Sequence, residues 1–213
     1  MTNFNSIFAA YAAITTTNAQ LITPTDLPAI SHNFHLIAHV KSPNVTQFTA
    51  GIENWQVISL PGSGCHEPLI LRKPADNGTD AGTTFWFNPE TTGVAYGDGQ
   101  DMKSLSIPRG GHGERALSMD CSKGTSEVGV ASVDDGPQLV YRNNATFYVC
   151  PRRIRSQAVA QLLYREGEEP LPYMCADVVL FAKRARGKRR GDGSAVVCCT
   201  DVRDGVCVLP IRP

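Results

Sequence analysis

The sequence NFHLIAHVK, residues 33–41, decides the fold class. Its apolar residues Phe34, Leu36, Ala38 and Val40 occupy alternate positions. Because successive side chains of a β-strand point to opposite faces, this period of two predicts a strand with one buried face and one exposed face. The break at Ser42-Pro43 ends the pattern and indicates a turn.

Similar short β-prone stretches follow along the chain, separated by turns that use many of its 19 glycines and 14 prolines. Residues 156–165 favour a helix by composition and also suit a buried strand; we interpret them as a strand because short strands dominate the chain. This organisation predicts an all-β fold, a single β-sandwich-like domain of many short antiparallel strands. The other predicted strands are 52–60, 69–73, 83–88, 93–96, 102–107, 116–119, 127–133, 138–141, 146–150 and 176–181.

The first 20 residues contain no charged side chain, and Ile7 to Ile14 form an apolar block that is too short to span a membrane. This pattern predicts a cleavable signal peptide at residues 1–19, with a buried N-terminal helix as the alternative. We then expect an extended segment at 20–32, a β-rich domain at 33–181 and an irregular, basic, cysteine-containing tail at 182–213, flexible or processed. The chain is expected to be secreted and to have no membrane anchor.

The cysteines and the glycosylation sequons agree with an extracellular location. Seven cysteines without a CxxC pair favour two or three disulfides, with at least one thiol left free or paired between chains. Three N-x-S/T sequons make Asn44, Asn77 and Asn144 candidate glycosylation sites. The disulfide candidates are Cys65, Cys121, Cys150, Cys175, Cys198, Cys199 and Cys207.

Lysine plus arginine and aspartate plus glutamate number 20 each, yet the basic residues concentrate in the run KRARGKRR at 183–190. This run suits a polyanionic glycan, or nucleic acid in a cytosolic protein, and it also resembles a nuclear-import patch. Lys183, Arg184, Arg189 and Arg190 form two dibasic candidates for proteolytic processing, and a solvated loop is the simplest alternative. In a secreted protein, nucleic acid is not the expected partner.

No motif identifies a catalytic residue, a metal site or a cofactor, so we predict none of the three. His35 and His39 share a strand face about 13 Å apart, too far to hold one ion, and we expect both to be exposed. His66-Glu67 begins an HExxH motif that Ile70 breaks. Trp55 and Trp86 are candidates for an aromatic platform that binds sugars, with burial in the core as the alternative.

Seven short segments between residues 33 and 181 carry a resemblance to a known family: FHLIAHV (34–40), IENWQV (52–57), FWFN (85–88), YRNN (141–144), FYVC (147–150), LY (163–164) and CADVVL (175–180). They resemble a family of small secreted fungal proteins of unknown function. The resemblance implies an extracellular β-rich domain and brings no activity, cofactor or catalytic residue. The tail departs from the family pattern, because such proteins usually finish soon after the segment that matches 175–180.

Two functions from different classes follow. The first is a secreted, non-enzymatic protein that binds an extracellular glycan or a host or cell-wall protein. The second is a secreted hydrolase with a carboxylate or Ser/His site that no motif reveals, and an accessory protein without its own activity is a further alternative. A cleft that places His66 or His112 beside a serine, or beside a carboxylate with a shifted pKa, would favour the hydrolase.

Overall fold

The computed structural model describes residues 29–41, 48, 51–62, 64–75, 82–89, 93–97, 101–108, 114–133, 135–142, 145–167, 169–186 and 193–209. Over these residues the chain is almost entirely β-structure in antiparallel sheets, which confirms the predicted fold class. The ambiguous segment 156–165 is a strand, as interpreted from the sequence.

The strands occupy most of the stretches that the sequence predicts. The first are β1 Ala29–Ser31, β2 Phe34–Val40, β3 Gln56–Ser59, β4 His66–Arg72, β5 Trp86–Asn88 and β6 Gly93–Tyr96. They are followed by β7 Lys103–Ser106, β8 Arg115–Ala116, β9 Ser118–Asp120, β10 Val128–Val133, β11 Gly136–Tyr141 and β12 Ala145–Ile154. The last are β13 Gln157–Glu166, β14 Ala176–Arg184, β15 Val196–Cys198, β16 Asp201–Arg203 and β17 Val206–Val208.

Six strands pair in a closed circuit in the order β2, β3, β4, β13, β12 and β14, and β14 pairs with β2 again. The circuit closes where Leu71 of β4 lies opposite Ala160 of β13. Alternate side chains of these strands join one buried cluster, and burying each large one contributes roughly 1.5–3 kcal/mol. Its members include Leu36, Ala38, Val57, Leu69, Leu71, Val149, Leu162, Val178 and Leu180.

Further strands branch from the circuit at β4 and β14. The first part of β4 pairs with β9, and the sheet continues through β7 and β6 to β5. The hairpin of β10 and β11 joins the circuit through a single pair, Gln138 opposite Phe181 of β14. These two branches place the polar cluster and the groove that are described below.

Strand β2 is covered on both faces, which corrects the prediction of one exposed face. Ile37 is 3% exposed and His35 is 5% exposed, so the expectation that both histidines are exposed is wrong for His35. Its Nδ1 lies 3.1 Å from the carbonyl oxygen of Thr83, because the chain that leads into β5 packs over this end of β2. His39 is half-buried.

Residues 193–209, part of the predicted irregular tail, contain three short strands. β15 pairs with β1, and β16 and β17 form a hairpin on the outer face of β2 and β14. There Val202 joins Ile37 and Phe181 in a separate buried cluster. The predicted boundary after residue 181 falls inside β14, which continues to Arg184 because its last residues pair with β2.

The cysteines form three disulfides, Cys65–Cys121, Cys150–Cys175 and Cys199–Cys207, and leave Cys198 free. This outcome confirms the predicted number of disulfides and the leftover thiol. The last disulfide joins two residues of the C-terminal segment to each other, and it lies against the buried cluster under the hairpin. In the described part of the chain, no helix has the length and apolar character that crossing a membrane requires.

The dibasic pair Lys183-Arg184 lies in the ladder between β14 and β2, opposite His35 and Phe34. A protease binds its substrate as an extended, unpaired segment, so this end of β14 must detach before it is cut. We expect trypsin to leave the bonds after these residues intact in the native protein and to cut them after reduction and unfolding, as measured by peptide mass spectrometry. Equal rates of cleavage in the two states would contradict the ladder.

Gly205, at the turn of the C-terminal hairpin, has a φ of 73°, and an added Cβ would lie 2.1 Å from the ring of His39. Gly167 has a φ of 57° and nothing within 4 Å of its Cβ position, so it is a matched control for backbone strain alone. We expect Gly205→Ala to lower the free energy of unfolding by about 2–3 kcal/mol and Gly167→Ala by about 1 kcal/mol in urea titrations. Equal losses of unfolding free energy in the two variants would show that Gly205 does not pack against the ring of His39.

Candidate functional site

Several residues singled out from the sequence lie outside the described residues. The three candidate glycosylation sites, Asn44, Asn77 and Asn144, are among them. The same holds for His112 and for the second dibasic pair, Arg189 and Arg190. The roles assigned to these residues remain predictions from the sequence.

The two tryptophans do not form an exposed platform. Trp86 is 5% exposed, and its indole Nε1 donates a hydrogen bond to the carbonyl oxygen of Gly97 at 3.1 Å. Trp55 is half-buried and packs against the main core. The platform interpretation is therefore wrong for Trp86, because its indole is covered although β5 is the last strand of the branch sheet.

Cys198 is the odd cysteine, and its surroundings make it unreactive. The residue is fully buried, and burial raises the pKa of its thiol to about 12, an effect that the charge of Arg184 reduces only in part. A thiol that stays protonated at neutral pH is a poor nucleophile and a poor metal ligand. Its place in the core cluster gives it the role of a small apolar side chain.

A basic cavity of about 630 Å³ opens where β14 ends beside β1. We define this basic cavity by its lining residues Ile30, Ser31, His32, Asn33, Arg184, Ala185, Arg186 and Thr200. Its charged members are two arginines, and no acidic residue belongs to the lining. The arrangement combines fixed positive charge with hydroxyl and amide groups, which is the chemistry that recognises an anion.

The end of β14 positions the two arginines. The backbone N–H of Arg184 donates to Cys199, and that of Ala185 donates to Asn33, at 2.8 and 3.1 Å. Ala185 is buried, whereas Arg184 and Arg186 on either side of it are exposed. Among the described residues neither arginine has a carboxylate partner.

The two members of the dibasic pair Lys183-Arg184 have different surroundings. The ammonium of Lys183 lies 3.2 Å from a carboxylate oxygen of Asp201, which also pairs with Arg203 at 2.9 Å. These hydrogen bonds lower the pKa of Asp201 against the opposing effect of burial. Lys183 is therefore held at the hairpin, and Arg184 is the member of the pair that is available to a ligand.

A second polar group is buried around Glu67 on β4. Its carboxylate, 5% exposed, accepts hydrogen bonds from the hydroxyl of Ser59 at 2.6 Å, from the hydroxyl of Tyr96 and from the ammonium of Lys103. We call these four residues the Glu67 cluster. They come from β3, β4, β6 and β7, so the cluster ties the branch sheet to the closed circuit.

The electrostatics of the Glu67 cluster are those of a structural ion pair. Burial raises the pKa of Glu67, but the hydrogen bonds from Lys103, Ser59 and Tyr96 outweigh it, so its pKa is lowered. The hydrogen bond to Glu67 raises the pKa of Lys103, and burial together with the same carboxylate raises that of Tyr96. An ionised carboxylate with three donors is not a general acid.

The neighbouring His66 does not complete a hydrolase site in the described residues. Its side chain is 73% exposed, and its Nδ1 lies 2.9 Å from a carboxylate oxygen of Asp120. The pair stands beside the Cys65–Cys121 disulfide on the β4–β9 ladder. Among the described residues no serine hydroxyl is hydrogen-bonded to His66, so the arrangement shows no nucleophile that this histidine activates.

In the sequence, Glu67 stands out only as part of an incomplete HExxH zinc motif. Tyr96 and Lys103 lie 29 and 36 residues away in the chain, and only the ladders between β4, β9, β7 and β6 bring them together. A lone glutamate between Pro68 and an exposed histidine carries no sequence pattern that announces burial. The alternation of β4 was the one available clue, since Glu67, Leu69 and Leu71 share a face.

We expect Glu67→Gln to lower the free energy of unfolding by about 3 kcal/mol at pH 7, because it leaves the ammonium of the partly buried Lys103 without its counter-charge. Since the folded-state pKa of Glu67 is lowered, its contribution is present at neutral pH and declines as the pH falls below about 4.5. The gap in unfolding free energy between variant and wild type should therefore narrow as the pH is lowered below about 4.5 in urea titrations. Glu127→Gln, at an exposed ion pair with Arg142, is the control and should change the free energy of unfolding little at any pH in this range.

A constant gap across the same pH range would mean that Glu67 contributes by packing rather than by charge. That result would contradict the assignment of the cluster.

Comparison with known proteins gives the family and little else. No curated protein matches the chain. A solved structure described as full-length CARDS toxin is similar over 70% of this chain and 26% of the toxin, with a TM-score of 0.47 and 9% identity. The chain thus matches about a quarter of the toxin's length.

A family model described as a domain of unknown function, DUF7907, matches residues 31–184. The match begins at the last residue of β1 and ends at the last residue of β14. It contains the closed circuit and the whole Glu67 cluster, together with one of the two arginines of the basic cavity. The chain belongs to the DUF7907 family.

Proposed function

We propose that this protein is a secreted, non-catalytic binding protein that holds an anionic polysaccharide at the basic cavity. The observation that carries the proposal is the pair of arginines, Arg184 and Arg186, which line one cavity and have no carboxylate partner among the described residues. Arginine presents several N–H donors in a plane, which suits carboxylate and sulfate groups.

Secretion is supported by two observations of different kinds. Three disulfides are typical of an oxidising compartment and rare in the cytosol. The apolar, uncharged start of the sequence has the length of a signal-peptide core. Outside the cell, the abundant polyanions are acidic glycans, and this favours a polysaccharide over nucleic acid.

The position of the cavity in the sequence favours a polymer over a small anion. In the sequence, Lys188, Arg189 and Arg190 follow Arg186 closely and continue the same basic run. Each exposed charge pair contributes only about 0–1 kcal/mol, so a useful affinity requires several of them at once. A chain of repeating acidic sugars provides that multiplicity, because each further contact is made at high effective concentration.

The test compares two double variants that remove the same charge. Arg184→Ala with Arg186→Ala changes the basic cavity; Arg72→Ala with Arg153→Ala, at two exposed arginines elsewhere, is the control. We expect wild-type protein to bind heparin and polygalacturonate and the cavity variant to bind about tenfold more weakly, whereas the control changes less than about twofold. Isothermal titration at several salt concentrations measures this, with neutral dextran as the uncharged probe.

Two outcomes would overturn the proposal. If both double variants bind heparin more weakly by the same factor, binding depends on the net charge of the protein and not on the basic cavity. If dextran binds as well as heparin, the recognition is not electrostatic.

A further inference from the structure

The edge of β14 that pairs with β11 and β12 contains a short stretch without a strand partner in the described register. Gln138 of β11 lies opposite Phe181, and Phe147 of β12 lies opposite Val178. The two paired positions are nine residues apart on the side of β11 and β12, whereas their partners on β14 are only three residues apart. After Gln138 the strand β11 leaves the edge of β14, and β12 returns to the same edge further along.

The departing strand keeps its other neighbour. β11 stays paired with β10 as far as Tyr141, which lies opposite Val128. Its edge toward β14, by contrast, has no further partner in the described register after Gln138. Two diverging strand edges thus face each other, and an unpaired edge of this kind is a template for another strand.

The space between the diverging strands is a groove of about 920 Å³, which we call the fork groove. This volume lies in the range of roughly 300–1,000 Å³ found for binding sites. Its lining includes the small or aliphatic side chains of Ala131, Val140, Thr146 and Val179. The fork groove is separate from the basic cavity, and the two share no lining residue.

One buried group in the lining points to a ligand independently of the register. Gln138, at the point where the strands diverge, is 8% exposed, and its side-chain amide nitrogen is buried without a hydrogen-bond partner. Buried amides nearly always have acceptors. Because Gln138 lines the fork groove, a rotation of its side chain would bring this amide to a peptide carbonyl of a ligand.

The charges at the rim specify the ligand further. The guanidinium of Arg142 pairs with Glu127 at 3.0 Å and stacks on the ring of Tyr141. Lys41, which also lines the fork groove, is exposed and has no acidic partner among the described residues. An occupant therefore gains from a carboxylate placed near Lys41.

We propose that the fork groove binds an extended peptide segment of a partner protein by strand addition, with small aliphatic side chains toward the groove and an acidic residue at the Lys41 end. Main-chain hydrogen bonds to the edges of β11 and β14 provide the affinity, and the alternate side chains provide the selectivity. This site goes beyond the polysaccharide site and does not depend on it.

The probe is a fluorescein-labelled heptapeptide that alternates valine and threonine and ends in aspartate. Its matched control has the same sequence with N-methyl groups on alternate residues, which removes N–H donors on one edge and keeps charge and composition. We expect the unmodified peptide to bind the full-length protein at least about tenfold more tightly than the methylated one in fluorescence anisotropy. NMR shifts on binding should centre on the backbone amides of 139–141 and 179–180 and on the Gln138 side-chain amide.

A variant pair tests the location. Val140→Arg places a long charged side chain in the groove from a half-buried position, and Gln157→Arg adds the same charge at an exposed site of β13. We expect the first to weaken peptide binding about tenfold and the second to leave it unchanged, with unaltered thermal unfolding in both.

Three results would each overturn the proposal. The methylated peptide binds as tightly as the unmodified one, or Val140→Arg leaves binding unchanged, or the protein forms a dimer in sedimentation that Val140→Arg abolishes. The last result would assign the fork groove to a second copy of this chain.

Discussion

The antiparallel ladder between β2 and β14 is the interaction on which the rest of the structure depends. It runs from Val40 opposite Val178 to Phe34 opposite Arg184. Its inner side chains belong to the main core, and its outer side chains Ile37 and Phe181 hold the C-terminal hairpin. Because a strand has only two faces and two edges, everything attached to β14 is placed by this one register.

The local pattern of the sequence was sufficient to predict most strands. The alternation in NFHLIAHVK and the turn residues between β-prone runs act over a few residues, and the structure keeps both. The closure of the circuit was out of reach, because Leu71 and Ala160 are distant in the chain and any β-prone strand could pair there. The burial of His35 was missed for the same reason, since its cover comes from the chain before β5.

The candidate site was predicted in part. The basic run at 183–190 was visible in the sequence as charge, and it indicated an acidic glycan as one candidate partner. The sequence could not tell Lys183, which pairs with Asp201 across the hairpin, from Arg184, which has no such partner in the described chain. The fork groove left no sequence pattern, because it arises from a difference in register between two ladders on one strand edge.

The basic cavity and the fork groove are tied to one rigid strand, and this fixes their separation. Val179 and Arg184 are five residues apart on β14, which at about 3.3 Å per residue is roughly 17 Å along the strand. Under these proposals, binding at the basic cavity would weaken strongly with salt, whereas the main-chain hydrogen bonds in the fork groove would not, apart from the charge contact at Lys41. Under the two proposals, a glycosylated partner that carries both an acidic sugar chain and an extended segment would engage both sites at once. Its avidity would exceed either affinity without any movement of the fold.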